Sequence, residues 1–197
     1  MGYLMNVQNV NQTGKIFTWV IVVAVLVFLF LVIKWIISTF NDFKNKMEEV
    51  YQSKSGIDIQ LEARFDTLKK LKDTVQGYVK HENQTFTEVT KIRRGMSVKD
   101  MAAAEQEMQT AIREINAVAE QYPELKASQN FLMLQNSIVS SEKELSVARR
   151  IYNSAVAGLN KKISNFPSCL IAPMANAQRQ DFFEVSAGKS NDVDMTF

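Results

Sequence analysis

Between Ile16 and Ile33 the chain reads IFTWVIVVAVLVFLFLVI, apolar on every helical face, with Thr18 its only polar side chain. After Lys34 it stays apolar through Trp35, Ile36 and Ile37. At ~1.5 Å per residue, about 22 such residues cross the ~30 Å of hydrocarbon in a bilayer. Trp19 and Lys15 lie near one end and Trp35 and Lys34 near the other, where rings and ammonium groups keep their polar parts wet. A buried core helix rarely stays apolar all round for so long. A signal peptide has an apolar region of about 7–15 residues and then a small-x-small site, and STFNDF after Ile37 offers none. The pattern predicts an uncleaved transmembrane helix over residues 16–37, bounded by Ile16, Trp19, Lys34 and Ile37.

Beyond the span the pattern changes from continuous to periodic. Ile57, Leu61, Phe65, Leu68, Leu71, Val75, Tyr78, Phe86, Val89 and Ile92 recur every three or four positions, with a weaker lead-in from Phe43, Met47, Val50 and Tyr51. Such spacing keeps one stripe on one face of an α-helix. Residues 41–94 therefore read as one helix of about 80 Å, or as two pieces hinged at Ser55-Gly56, the only break the pattern singles out. Gly95 ends the run after Arg93 and Arg94, which suit the negative end of a helix dipole. Ser97-Val98-Lys99-Asp100 resembles a capping box and opens a second helix, striped by Met101, Ala104, Met108, Ala111, Ile115 and Ala119 and stopped at Tyr122-Pro123. A last helix starts near Ser128 and carries Phe131, Leu134, Ile138, Ser141, Leu145, Ala148, Tyr152, Ala155, Leu159, Ile163 and Phe166 at coiled-coil spacing until Pro167. Three amphipathic helices must bury their stripes against one another. The expected fold is all-α: an N-terminal transmembrane helix followed by an elongated, antiparallel three- to four-helix bundle running up, down and up. The divisions are a short extracytoplasmic tail (1–15), the span (16–37), the bundle (38–166) and a C-terminal tail (167–197). In that tail an apolar patch of Cys169, Leu170, Ile171 and Met174 docks on the bundle or on a partner.

Charge and composition narrow the function. The chain has 23 Lys and Arg against 21 Asp and Glu. Two of the basic residues, Lys15 and Lys34, fall in the acid-free first 37 positions, so residues 38–197 hold 21 of each sign. A neutral body lacks the clustered basic surface a nucleic-acid binder needs. Lys34, Lys44, Lys46 and Lys54 follow the span while one Lys precedes it, which places the bundle in the cytoplasm and residues 1–15 outside. One Cys and one His exclude a disulfide framework and a Cys/His zinc site. Phosphate-loop, dinucleotide, zinc-protease and nucleophile-elbow motifs are all absent.

Few side chains then remain that carry chemistry. His81-Glu82 invites an acid/base or metal reading, with Glu82 near the bundle seam; the simpler account pairs Glu82 with Arg149 or Arg150 and leaves His81 solvated. Arg149, Arg150, Tyr152 and Asn153 suit an anion or an acidic partner, but more simply make helix–helix hydrogen bonds that fix register. Tyr122-Pro123 reads as a helix stop, with a docking loop as its alternative use. Cys169 reads as a small packed residue rather than a reactive thiol.

Several stretches are also recognisable. Ile57-Asp58-Ile59-Gln60-Leu61, Arg64-Phe65-Asp66, Thr74-Val75-Gln76-Gly77-Tyr78, Ala119-Glu120-Gln121-Tyr122-Pro123, Ala148-Arg149-Arg150, Tyr152-Asn153 and Phe166-Pro167-Ser168 together resemble the LemA family of bacterial membrane proteins. Leu68-Lys69-Lys70, Ser154 and Cys169 depart from its usual pattern, and the lack of a Pro after Leu68 implies a straighter first helix. The resemblance implies one span in the bacterial cytoplasmic membrane, a short outer N-terminus and a cytoplasmic helical bundle, and it carries no reaction with it. Asp58, Arg64, Tyr78, Glu82, Tyr122, Pro123, Arg149, Arg150, Tyr152, Asn153, Phe166 and Pro167 are the structural or interaction candidates.

The expected function is therefore a non-enzymatic, membrane-anchored scaffold without cofactor or metal. Its partners are the bilayer and other copies of itself, joined through the cytoplasmic part because the span lacks a small-xxx-small pattern. Alternatives are an adaptor for a membrane enzyme or stress-response system, with a foreign protein partner, and a metal- or carboxylate-dependent hydrolase using Glu82 and His81.

Overall fold

The computed structural model of the chain describes residues 2–78, 89 and 95–184, with side chains described from Phe17 onward. Among these residues all regular structure is helical: α1 (Gly2–Tyr78), α2 (Val98–Gln121), the short α3 (Pro123–Lys126), α4 (Gln129–Ser164) and a 3₁₀ turn at Ser168–Leu170. The apolar stretch and the first bundle helix are one uninterrupted α-helix of 77 residues. Its part from Phe17 onward is long and apolar enough to cross a membrane, and its apolar window is unburied by the rest of the protein. Residues 2–15, expected as a tail, belong to the same helix.

Of the two courses open to α1 at Ser55-Gly56, the unbroken helix is the one found. The chain does not break at Ser55-Gly56, because Val50, Ile57 and Leu61 on either side are all buried. Burying one such side chain contributes about 1.5–3 kcal/mol, against about 1 kcal/mol for a helical Gly. The helix is described as far as Tyr78, and Val89 lies in irregular backbone, so it does not run unbroken to Gly95 as the longer stripe predicted.

The chain forms two compact units, residues 1–45 with 162–178, and residues 46–161 with 179–197. In the larger unit α4 runs antiparallel to α1: Arg64 pairs with Glu142, while Thr67, Lys70 and Thr74 face Ser137, Leu134 and Asn130 across one cleft. It is also antiparallel to α2, since Arg149 reaches Glu105 at 2.8 Å and Gln135 reaches Asn116 at 2.9 Å. Hence α1 and α2 run parallel, and the expected up-down-up order is wrong. Gly95, in a turn at φ 84°, lies beside Tyr51, Ser55, Asp58 and Glu62 in mid-α1. Ser97 caps α2 as its sequence announced, accepting from the Asp100 amide at 3.1 Å and donating to its carboxylate at 2.7 Å. Pro123 ends α2 and also occupies the first turn of α3, where its missing N–H costs nothing. The core is the seam of α1, α2 and α4, with Leu61, Met101, Met108, Ile115, Phe131, Leu145 and Leu159 fully buried.

Residues 162–178 pack against the stretch of α1 that follows the apolar segment. Phe43 and Thr39 are buried there, with Ile171, Ala172 and Ala175 opposite them in the same unit. Lys44 donates to the Ala175 carbonyl at 3.1 Å, and Lys162 pairs with Asp42. The expected tail patch is thus divided: Ile171 is inside, Cys169 half-buried, and Leu170 and Met174 outside.

Candidate functional site

A charged cluster crosses the seam of the larger unit. On α1 the buried positions run Ile57, Leu61, Arg64, Leu68, Leu71 and Val75, a strict alternation of four and three. Arg64 therefore occupies a core position with only 2% of its surface exposed, and Phe65, assigned to the stripe from sequence, is only half-buried. On α2, Glu105 lies between Met101 and Met108 at 0% exposure. From α4, Glu142 accepts from Arg64 and, at 3.1 Å, from Arg149, which also donates to Glu105 at 2.8 Å. Gln109 adds a donor to Glu142 at 3.4 Å. Two guanidinium groups and two carboxylates thus link three helices, and their formal charges cancel.

The cluster is built to hold rather than to react. Burial pushes the Arg64 guanidinium down from its usual range, with Glu105 pulling the other way. Burial also pushes the Glu105 carboxyl up, opposed by Arg149 and Arg64. Arg64 Nε and Glu105 Oε2 have no hydrogen-bond partner among the described residues. An ion-pair network of this kind costs desolvation and returns registry: each helix can slide only by stranding a buried charge.

The other candidates lie elsewhere. Tyr152 and Asn153 bond to the tail rather than to another helix: Tyr152 donates to the Asp181 carbonyl at 2.9 Å, and burial raises its phenol's pKa. Asn153 takes both backbone groups of Phe183, accepting from the amide at 2.8 Å and donating to the carbonyl at 3.1 Å. Asn160 grips Gln180 in the same way, at 2.9 and 2.8 Å. Two amide side chains seven residues apart on α4 thus hold an extended strap, residues 180–183, without reading its side chains, and they press Phe183 into the core. Arg150, Pro123, Phe166, Pro167 and Tyr78 are exposed, and Asp58 and Tyr122 are half-buried. His81 and Glu82 lie outside the described residues, so the expected pairing of Glu82 is untouched; within the described part, Arg149 is engaged by Glu105 and Glu142. Among the described residues no three His, Cys, Asp or Glu side chains converge as metal ligands would.

Sequence reasoning missed Glu105 and Glu142. A signal existed: Arg64 and Glu105 are charged residues at three- and four-residue steps from flanking apolar ones.

Among the described residues a surface groove lies between α1 and α4, about 670 Å³ in volume. Glu49, Gln52, Ser53, Gly56 and Gln60 form one wall, and Lys143, Glu144, Val147, Ala148 and Ile151 the other. Val147 and Ile151 are large apolar side chains left exposed in it. A Cβ at Gly56 would meet nothing within 4 Å, so the groove is open above the helix backbone.

These features define an all-helical protein with one exposed apolar N-terminal helix and a bundle locked by a neutral polar seam. The LemA family model matches residues 53–197, and the chain belongs to that family. It is also similar to Protein LemA of Metamycoplasma hominis, 29% identical over 159 residues that cover 78% of this chain and 73% of that one.

Proposed function

We propose that the protein is a non-enzymatic scaffold, held in a membrane by residues 16–37 and docking other protein helices on its cytoplasmic bundle. The observation that carries this reading is the groove of Gly56, Gln60, Val147 and Ile151. Its walls follow single helix faces at three- and four-residue steps, and from Glu49 to Gln60 it runs about 17 Å, three turns of a partner helix. An apolar floor between charged rims suits a helix face better than a small polar substrate. Support for the anchor is the exposed apolar helix, and support for the orientation is the excess of Lys after it. Membrane confinement raises effective concentration, so weak lateral contacts between copies suffice for assembly.

The test uses full-length protein crosslinked in membranes, followed by mass spectrometry and by sizing in mild detergent. Links from α1 and α4 to a second copy, weakened by Gly56→Trp, support self-assembly. One dominant foreign partner favours the adaptor reading instead. A single copy without crosslinks on this face defeats the proposal.

A further inference from the structure

Residues 162–178 present two opposite faces. Ile171, Ala172 and Ala175 are buried, whereas Phe166, Leu170 and Met174, four positions apart, are 81%, 63% and 64% exposed. Three large apolar side chains on one short segment need an apolar environment or a partner. The neighbourhood indicates which. This segment and residues 1–45 form one compact unit, held by the Lys44 bond to the Ala175 carbonyl and the Lys162–Asp42 pair. Its contacts on α1 fall at Thr39–Lys44, about 3–10 Å along the helix from Ile37, the last residue of the apolar stretch. That distance is the depth of the headgroup region, where rings and Lys side chains gather. Here Lys44 lies over the Phe40 ring, 5.5 Å from its centroid, with Trp35 and Lys34 just before it.

We propose that Phe166, Leu170 and Met174 enter the boundary between lipid headgroups and acyl chains, so that the C-terminal collar is a second, monotopic membrane contact at the foot of the span. The inference rests on the reading that residues 16–37 cross the bilayer. The collar is pinned to α1 by two polar contacts made away from its exposed face, which leaves that face free to meet lipid. A helix fixed both through the bilayer and at its foot resists tilting.

The test uses full-length protein in phosphatidylcholine nanodiscs with Cys169→Ala, carrying one nitroxide at Val25→Cys, Met174→Cys, Phe166→Cys or Glu48→Cys. Accessibility to oxygen and to a nickel chelate is measured at each. The expected result is a several-fold higher oxygen-to-nickel ratio at Met174→Cys and Phe166→Cys than at Glu48→Cys, below that at Val25→Cys. Water-like ratios at both collar sites with a lipid-like ratio at Val25→Cys overturn the collar contact alone. Water-like ratios at all four overturn the span and the collar together. Low access to both reagents with spin–spin broadening at the collar means that a second copy covers it, and also overturns the proposal.

Discussion

At the scale of single residues, the seam places a charge where packing asks for an apolar side chain. Arg64 replaces an apolar residue in the run of Ile57, Leu61, Leu68 and Leu71, and its partner Glu142 is partly open to solvent. Arg64→Ala should destabilise residues 38–197 by about 2 kcal/mol, the scale of a lost charged hydrogen bond plus a cavity. Arg64→Leu, which completes the apolar run, should cost less than half as much, because Glu142 can rehydrate and keep Arg149. Urea melts of the two variants decide it, and equal losses would show that the ion pair itself carries the stability. Glu105 yields a pH-dependent expectation. Burial raises its carboxyl above the ordinary value of 4.5, so the folded state holds that proton more tightly than the unfolded one. Its contribution is fully present below that value and is lost as pH rises through the folded one. Glu105→Gln does not titrate, so its stability relative to the native chain should rise between acidic and neutral pH; a relative fall contradicts the direction given for Glu105. The apolar stripe could be read from sequence because periodicity marks buried faces. The ion pairs could not: which carboxylate faces Arg64 depends on how α2 and α4 lie alongside α1, and spacing within one helix carries no such information.

At the scale of elements, side-chain burial carries α1 through Gly56, and backbone gripping holds the tail on α4. Gly56 carries the intrinsic cost of a helical Gly, yet α1 runs straight through it, because Ile57 and Leu61 bury themselves beside it. Gly56→Ala should therefore stabilise the bundle by about 1 kcal/mol, since its Cβ meets nothing and helix propensity improves. A thermal melt that moves downward would show that the backbone there is strained. Asn153→Ala and Asn160→Ala each remove a two-bond grip on the strap and should cost about 1–2 kcal/mol. Amide exchange at Gln180 and Phe183 should accelerate well before exchange in α2 does. The parallel course of α1 and α2 was not legible in the sequence, since a hydrophobic stripe has no direction. The cap at Ser97 and the stop at Tyr122-Pro123 were legible because their chemistry is local.

At the scale of the whole molecule, the proposed attachment to a membrane rests on where charge is absent. The 21 basic and 21 acidic side chains of residues 38–197 give that body no long-range field, and its most buried charges cancel within the seam. Electrostatic adsorption to anionic lipid is worth about 1 kcal/mol per Lys or Arg near the surface, and interspersed carboxylates offset it. Removing residues 1–37 should therefore not leave a protein that clings to membranes through charge. What remains is the exposed apolar collar of Phe166, Leu170 and Met174, whose transfer into lipid is non-directional and indifferent to salt. Residues 38–197 should float with vesicles only weakly, to the same extent with phosphatidylcholine and phosphatidylglycerol, and equally at low and high salt. Phe166→Ser with Met174→Ser should remove that residue of binding, because their apolar surface is its source. Full-length protein should stay bound under all four conditions, since an exposed apolar helix of membrane-spanning length holds far more tightly than three interfacial side chains. Binding of residues 38–197 that strengthens on anionic lipid and collapses with salt would mean that a basic surface, formed by uneven placement of charges that sum to zero, does the holding instead.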